Sequence, residues 1–568
     1  MLQTKRSSEQ LLLFFLVLWT VINIVQAAFV ELHADEAYYW MYSRFMDWGY
    51  FDHPPMVAVF IKLGDALFRN SLGLRLITVV SSALSVYLLW KIVSRYTQNF
   101  QLFALLFSGV VLFHVYGFIT TPDSPLFFFS ILFFYVYQRY AEEDKAKWAL
   151  LLALIIACLL YSKYHGILVL FFTIISNFKL LRRPSFWMIV VVSICAFLPH
   201  IMWQINNHYP SFYYHVIDRN ADFYKFKFTS EYVLAQLALA GPLVGWFLYK
   251  SAVQLKSSDA FIRAVKFNFY GVFVFFLFST FKGRVEAHWT LPAMLCLFIL
   301  AYIEIGRKPV PKWLNYLSLA NIALIILVRL ILIFPIDALM KVKVIAYYFG
   351  TKKWAAQIKD KAGNYPVIFT DSFQIPSRYN YYTYSTRGFG YDSRYYRKNQ
   401  YDIWPLEDSI RNRKAYYVLS QSHGENVKQD TIATDKGLFY GLWINKVRMY
   451  QKVTVRLSEV PEEWQRGETK KVTLEITNPY QEPVSLGNAG EEWKCILEYG
   501  FKMDGNFVYF KTFTADVSQL VIKPHTTVRV PGMLEVPKET GKYKLIFSVR
   551  TEPFSGGRNS GMITADVK

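Results

Sequence analysis

Apolar runs of membrane length recur through the N-terminal part of this chain and then stop. Such runs follow one another from about residue 10 to residue 336, whereas the remainder reads like a water-soluble protein. Over all 568 residues, 54% are hydrophobic and 18% are charged, whereas soluble domains average roughly 45–50% and 25%. We therefore expect a membrane half and a soluble half.

The apolar runs predict about eleven transmembrane helices. The first, roughly residues 11–30, follows Lys5 and Arg6. Because it ends in small residues near Ala28, it also fits a cleaved signal peptide. The other runs cover residues 72–95, 100–119, 123–140, 147–162, 163–180, 186–205, 232–251, 262–281, 288–304 and 313–335.

The basic residues of the loops predict the side of the membrane on which each loop lies. Every second loop is basic, as cytoplasmic loops are, through Lys91, Arg95, Arg139, Lys145, Lys147, Lys179, Arg182, Arg183, Lys250, Lys256, Arg263, Lys266, Arg307, Lys308 and Lys312. An odd number of spans then gives a multi-pass inner (plasma) membrane protein with a cytoplasmic N-terminus. Everything after about Asp337 would lie on the outer, periplasmic side. Since topology accounts for much of the net charge of +20, no nucleic-acid partner is expected.

The soluble part divides once more, so we predict a membrane domain at 1–338, an α/β module at 339–449 and a β-sandwich at 450–568. In the module, residues 354–358 read as helix, and 366–370 and 415–419 read as buried strands. Beyond residue 450, polar and apolar residues alternate at 452–457, 471–476, 526–530 and 542–549. Short alternating strands between turn residues indicate a sandwich.

Ionisable residues outside the basic loops gather on the opposite face of the membrane. The five outer loops hold Glu31, His33, Asp35, Glu36, Arg44, Asp47, Asp52 and His53; Asp123; Lys163 and His165; His208, His215, Asp218 and Arg219; and Lys282, Arg284, Glu286 and His288. Because a charge near the bilayer centre costs a few kcal/mol, such residues usually face a water-filled cavity. We therefore expect an outward-open active site.

Asp35 and Glu36 are the strongest single feature of these loops. They begin a segment, residues 35–51, that is rich in Tyr and Trp and predicts a helix lying in the membrane interface. Asp35 could act as a general base. The two acids could equally serve as the N-cap and first-turn acid of that helix, and the two roles are compatible.

The first outer loop contains HADEAYYW at residues 33–40 and GYFDHPPMVA at residues 49–58. These segments closely resemble the first outer loop of the protein O-mannosyltransferase-like superfamily. Its members are glycosyltransferases of the GT-C fold (glycosyltransferase family 39-like) and include the aminoarabinose–lipid A transferases. Supporting motifs are TPDSP at 121–125, KYHG at 163–166 and EAHWTLP at 286–292. The resemblance covers roughly the first 335 residues.

The resemblance implies a cell-envelope enzyme that takes a sugar from a polyprenyl-phosphate donor within the membrane lipids. The acceptor would be a hydroxyl of a lipid, glycan or protein. The catalytic pair would be Asp35 and Glu36, with Asp35 accepting the hydroxyl proton as the oxygen attacks the anomeric carbon, typically with inversion. Candidate phosphate-binding and substrate-binding residues are His53, Asp123, Lys163, Tyr164, His165, Arg219, Arg284, Glu286 and His288.

One divalent metal ion is a candidate cofactor. Its ligands would be Asp52, His53, Glu286 and His288, which are suitable ligand types without diagnostic spacing. In the aminoarabinose group, the position that matches His53 is typically Lys, which leaves both metal use and substrate identity open. Alternatively, these side chains bind phosphate and sugar hydroxyls directly.

Two other protein classes fit part of the sequence. A flippase or transporter for lipid-linked sugars would also need many spans, but transporters commonly carry internal repeats and midplane sites. A receptor with an outer β-sandwich would leave the Asp35 loop unexplained.

Two smaller features of the sequence each have two interpretations. Asp218 and Arg219 could form a local ion pair or a phosphate site, and the tyrosine-rich residues 379–384 fit either a glycan site or a solvated loop.

Overall fold

The computed structural model describes residues 2–216, 224–424, 427–503 and 506–568. The chain forms two compact units, Met1–Phe349 and Gly350–Lys568. The first unit extends beyond the expected boundary at residue 338. The residues after 338 pack against earlier residues of the same unit, since the Ala34 amide donates to the Tyr347 hydroxyl at 3.0 Å.

The membrane unit is helical. Its helices are α1 Leu2–Phe29, α2 Ala34–Arg44, α3 Met56–Leu67, α4 Ser71–Val93, α5 Phe100–Gly109, α6 Val111–Val115, α7 Asp123–Glu142, α8 Ala146–Ser162, α9 Gly166–Ser176, α10 Pro184–Asn206, α11 Pro210–Val216, α12 Phe226–Ala240, α13 Gly245–Gln254, α14 Ala260–Ser279, α15 Leu291–Gly306, α16 Lys312–Ile333 and α17 Lys343–Ala346. Short 3-10 helices cover Phe178–Arg182, Ala287–Thr290 and Asp337–Leu339.

Fewer helices are suited to crossing a membrane than the eleven expected. Among the described residues, six are long and apolar enough: Ser8–Phe29, Ser71–Val93, Pro184–Asn206, Ala260–Ser279, Ala287–Gly306 and Lys312–Ile333. The pair α12 and α13, bent by 91°, makes a seventh if it counts as one span. The runs at 100–119, 147–162 and 163–180 form only shorter helices, and α7 is long enough but too polar. The difference therefore has three causes: the runs at 100–119 and 232–251 are broken, the helices α8 and α9 are short, and α7 is too polar.

The buried side-chain amide of Asn321 hydrogen-bonds backbone groups at two interruptions of the apolar runs. Helix α5 ends because Val110 is extended, with φ of −85° and ψ of 110°. Helix α12 ends at Gly241, whose φ of 126° favours glycine. Asn321 of α16 donates to the Gly109 carbonyl at 2.8 Å and accepts from the Leu243 amide at 3.1 Å. Backbone groups freed inside a membrane need such partners.

The second unit begins with an α/β part. Its helices are α18 Thr351–Ala362, α19 Gln374–Tyr382 and α20 Leu406–Ile410, with a 3-10 turn at Gln400–Asp402, and its strands are β1 Val367–Thr370, β2 Gly388–Tyr391, β3 Ala415–Leu419, β4 Asp430–Thr434 and β5 Gly437–Ile444. The sheet order is β2-β1-β3-β5-β4. The first three strands are parallel, and β5 is antiparallel to β3 and β4. The helix and both strands predicted for this region are confirmed.

A β-sandwich follows in the same unit. Its strands are β6 Thr454–Leu457, β7 Thr469–Thr477, β8 Val484–Ser485, β9 Cys495–Met503, β10 Asn506–Thr512, β11 Val521–Ile522, β12 Thr527–Glu535, β13 Gly541–Thr551 and β14 Ile563–Val567. Sheets of order β10-β9-β13-β14 and β12-β7-β6 share one apolar core, to which Leu474, Phe501 and Phe547 contribute. The four alternating segments coincide with β6, β7, β12 and β13, apart from residues 452, 453 and 526 just before two of these strands, because alternation marks a sheet with one buried face.

The tyrosine-rich segment at 379–384 is largely helical and does not form the solvated loop considered from the sequence. Helix α19 ends at Tyr382, and Tyr379 and Tyr381 are buried. Tyr379 packs with Trp354 and Phe369 in the core of the α/β part. These rings therefore stabilise the fold.

Candidate active site

A buried ion pair fixes the start of α2. Arg75 of α4 donates to Glu36 at 2.8 and 2.6 Å, and both side chains are fully buried. Arg75 also donates to the carbonyls of Ala27 and Val30, at 3.1 and 2.8 Å. The Thr120 amide donates to Glu36 at 2.9 Å. The pair therefore joins α1, α2, α4 and the segment that leads into α7.

Asp35 does not cap α2. The cap is His33, whose Nδ1 accepts from the Asp35 amide at 3.3 Å, while Glu36 accepts from the His33 amide at 3.0 Å. The Asp35 side chain is 35% exposed, and its carboxylate lies 3.7 Å from the His33 ring nitrogen. Capping therefore falls to His33 and Glu36, and the Asp35 carboxylate reaches solvent.

Helix α2 packs inside the protein instead of lying in the membrane interface as expected. It ends at Arg44, well before residue 51. Tyr38, Trp40 and Tyr42 are at most 1% exposed, and the Tyr42 hydroxyl donates to Asp52. The aromatic residues of this loop therefore support the site from within, because they pack against protein and not against headgroups.

Asp123 joins two of the predicted site residues. Lys163 Nζ lies 2.8 Å from each Asp123 carboxylate oxygen, and both side chains are buried. Nε2 of His288 lies 3.6 Å from the same carboxylate. Asp123 makes no capping hydrogen bond to α7, whose N-cap is Pro122. Residues from three separate outer loops therefore meet at Asp123.

A cavity of about 540 Å³ opens beside Lys163. Its polar lining is His53, Lys163, Tyr164, His165, His215, Ser279, Lys282 and Arg284, and its apolar wall includes Ile167, Leu168, Phe275, Phe276, Phe278, Val285 and Trp289. No carboxylate lies among the lining residues that the structure describes. Asp123 already balances the charge of Lys163, so the preference for an anionic ligand comes from Lys282, Arg284 and the imidazoles. The apolar wall suits an attached hydrocarbon.

Tyr39 connects the Asp35 side of α2 with this cavity. Asp35 and Tyr39 lie one helical turn apart on the same face of α2. The Tyr39 ring lies 5.7 Å from the ring of His53, which lines the cavity. Burial, and then the nearby carboxylates of Asp35 and Asp52, raise the pKa of Tyr39 well above its usual value. Asp35 therefore stands one turn from a neutral phenol that borders the cavity wall.

Of the remaining predicted site residues, some line the cavity and others do not. Arg284 is 66% exposed and lies 4.0 Å from Glu286, which is not among the cavity-lining residues. His165 lines the cavity with its ring against Phe276 and Trp289. Arg219 and its neighbour Asp218 lie outside the described residues.

Sequence reasoning missed several residues that build the site. Arg75 sits in an apolar run and gave no signal. His200 Nδ1 donates to the Trp48 carbonyl at 2.8 Å, and its Nε2 lies 3.1 Å from the Tyr164 hydroxyl. His215 bonds the Asp52 carbonyl at 2.8 Å. Both histidines hold cavity-forming segments together. His215 is one of the outer-loop residues to which the sequence assigns no role, and His200 lies in an apolar run, so only contacts between distant parts of the chain identify what they do.

The proposed metal ligands do not form a metal site. Among the residues that the structure describes, no three His, Cys, Asp or Glu side chains group closely enough to hold an ion. Asp52, His53, Glu286 and His288 are therefore not gathered into one ligand set.

Comparison with known proteins supports the fold. Residues 52–203 match the family described as dolichyl-phosphate-mannose-protein mannosyltransferase. The crystal structure of apo ArnT from Cupriavidus metallidurans has 14% sequence identity and a TM-score of 0.57, covering 77% of this chain and 98% of that chain. The same ArnT bound to undecaprenyl phosphate has 15% identity and a TM-score of 0.57, with 76% and 97% coverage. No curated protein matches the sequence significantly.

At such identity the structural match shows the fold alone, and the family match covers part of the membrane unit. Together they confirm the resemblance seen in the first outer loop. The chain has the helical GT-C fold with a β-rich C-terminal part, and its residues 52–203 match the dolichyl-phosphate-mannose-protein mannosyltransferase family.

Proposed function

We propose that this protein transfers a sugar from a polyprenyl-phosphate donor to a hydroxyl of a lipid, glycan or protein. The observation that carries the proposal is the cavity beside Lys163, which combines basic side chains with an apolar wall. A polyprenyl phosphate needs both, because its head is anionic and its tail is hydrocarbon. ArnT, which shares the fold, has been crystallised with undecaprenyl phosphate.

The basic side chains would act on the leaving group. As the bond between the anomeric carbon and the phosphate oxygen breaks, its electron pair goes to the phosphate. Lys163, Lys282 and Arg284 line the cavity together with His53, so they can neutralise this charge through charge-assisted hydrogen bonds. Asp123 holds the Lys163 ammonium in place through both carboxylate oxygens.

Asp35 would accept the proton of the attacking hydroxyl. Its carboxylate is partly exposed and is not used in capping. A positioned base contributes roughly 10²- to 10⁴-fold to the rate. A single in-line displacement of this kind inverts the anomeric centre of the hexose or pentose. Glu36 would be a positioning residue, because its carboxylate is buried against Arg75 and does not face the cavity.

The reaction would occur on the non-cytoplasmic face of the inner membrane. The residues of the site come from the outer loops, which alternate with the basic loops. With a cytoplasmic N-terminus and seven spans, counting the bent α12–α13 pair as one, the Gly350–Lys568 unit would lie on the outer side, where it would meet acceptors and not nucleotide-activated donors.

The test is the Asp35→Asn variant of the full-length protein in detergent, with Glu31→Gln of the same loop as the matched control. Synthetic polyprenyl-phosphate sugars and extracted envelope lipids and glycans serve as substrates, and release of polyprenyl phosphate is measured. We expect Asp35→Asn to slow release by roughly 10²- to 10⁴-fold, with donor binding and thermal stability retained.

Two outcomes would contradict the proposal. Normal turnover by Asp35→Asn would exclude this residue as the base. Wild-type protein that binds the donors and moves them between leaflets in liposomes, without releasing polyprenyl phosphate, would instead identify a flippase.

A further inference from the structure

The topology of the C-terminal unit creates a crevice that transfer chemistry in the membrane unit does not use. Strand β1 has β2 on one side and β3 on the other, and all three are parallel. The chain therefore leaves β1 in one direction for β2 and later returns on the opposite side for β3. In α/β sheets, ligands bind at such a reversal, outside the carboxyl ends of the strands.

A cavity of about 560 Å³ lies at this place. Its lining includes Thr370 at the end of β1, Leu419 at the end of β3, Gln421 in the segment after β3, Phe439 of β5, and Glu498 and Arg550 of the β-sandwich. Its volume falls in the range of small-molecule sites. All of its walls belong to one compact unit.

The charges at this cavity are balanced. Glu498 accepts from Arg394 at 2.7 Å and from Arg550 at 2.5 Å. Arg550 also donates to Glu552 at 3.1 Å. Two guanidinium groups therefore meet two carboxylates, which gives an anion no advantage. The turn from β1 into α19, residues 371–373, also lacks the glycines of a phosphate-binding loop and carries Asp371.

The other lining groups are aromatic rings and neutral hydrogen-bonding groups. The ring of Phe439 is half-buried and Ile375 is exposed, so these two side chains offer the apolar surface. The rings of Phe369, Tyr417 and Phe554 are only 2–3% exposed and form the buried part of the lining. The hydroxyls of Thr370 and Tyr417 lie 2.5 Å apart, and the side chains of Ser420, Gln421 and His423 are exposed beside them. Such a site offers both donors and acceptors next to apolar surface.

We propose that this crevice binds an uncharged saccharide. Sugar hydroxyls both donate and accept hydrogen bonds, and the C–H faces of a sugar ring pack against aromatic side chains. The charged Arg394–Glu498–Arg550 group then provides fixed donors and acceptors without selecting for net charge. The site would hold a glycan chain on the C-terminal unit, whether or not the membrane unit performs the proposed transfer.

The test measures binding of neutral tetrasaccharides to the full-length protein by saturation-transfer NMR, in a detergent without a sugar headgroup. The probes are cellotetraose, maltotetraose, xylotetraose and chitotetraose, with tetraglucuronate and inorganic phosphate as charged probes. We expect at least one neutral probe to bind. Gln421→Ala and Tyr417→Phe should each weaken that binding by about 2- to 10-fold, the value of one hydrogen bond.

The matched control is Gln465→Ala, an exposed glutamine of the same unit that does not line the cavity; its affinity should equal that of the wild type. The proposal is overturned if no neutral probe binds, if the charged probes bind more tightly, or if all three variants bind alike. Because the readout is binding alone, an inactive Asp35→Asn variant leaves the result unaffected, so this site and the proposed transferase stand or fall separately.

Discussion

Replacing Glu36 by Gln would leave the Arg75 guanidinium buried without a carboxylate. The guanidinium would keep its carbonyl partners at Ala27 and Val30, but its charge would no longer be balanced. Removing one partner of a buried ion pair typically costs about 3–5 kcal/mol. Since both side chains are fully buried, solvent cannot screen the remaining charge, and we expect the full cost.

A double-mutant cycle measures this cost. Full-length wild type, Glu36→Gln, Arg75→Gln and the double variant would be unfolded in mixed detergent with increasing sodium dodecyl sulfate and followed by tryptophan fluorescence. The double variant has no buried charge, so it should regain part of the loss, with a coupling energy of about 0.5–3 kcal/mol. Glu31→Gln controls for a change of one outer-loop acid.

Turnover distinguishes a positioning role from a chemical one. If Glu36 only holds α2 in place, the activity lost in Glu36→Gln should follow the loss of stability, and the double variant should recover both. The reasoning is refuted if Glu36→Gln unfolds like the wild type yet loses turnover, because Glu36 would then act directly on the substrate.

Two further predictions concern acid-base behaviour and metal use. Burial raises the pKa of Glu407 in the C-terminal unit from 4.5 to about 7, so the folded state binds the proton more tightly than the unfolded state. Stability should therefore fall by about 3 kcal/mol as the pH rises from about 4.5 to 7, at about 1.4 kcal/mol per pH unit. Glu407→Gln should remove that fall when unfolding free energies are compared between pH 4.5 and 8; parallel pH profiles for the two proteins would contradict it. Separately, EDTA should leave sugar transfer unchanged, because the described residues gather no set of three ligands, whereas activity lost to EDTA and restored by Mg²⁺ or Mn²⁺ would show that a metal takes part.

The sequence by itself determined the features that depend on local patterns. Continuous apolar runs separated the membrane part from the soluble part, because a segment that crosses the membrane needs consecutive apolar residues whatever its tertiary contacts. Alternation predicted the sandwich strands, such as β13 Gly541–Thr551, because neighbouring side chains of a strand face opposite ways. A continuous apolar run predicted the buried strand β3 Ala415–Leu419. The long motif of the first outer loop likewise identified the GT-C fold, since it lies within one short stretch of chain.

Only the tertiary structure decided how distant residues pair. Arg75 is 39 positions from Glu36, and Asn321 closes breaks at Gly109 and Leu243; no local period encodes such contacts. The same is true of the cavity lining, which brings Lys163 together with residues more than a hundred positions away. A single apolar run also looks alike whether it forms one helix or two, because the break depends on a partner elsewhere that can satisfy the freed backbone groups.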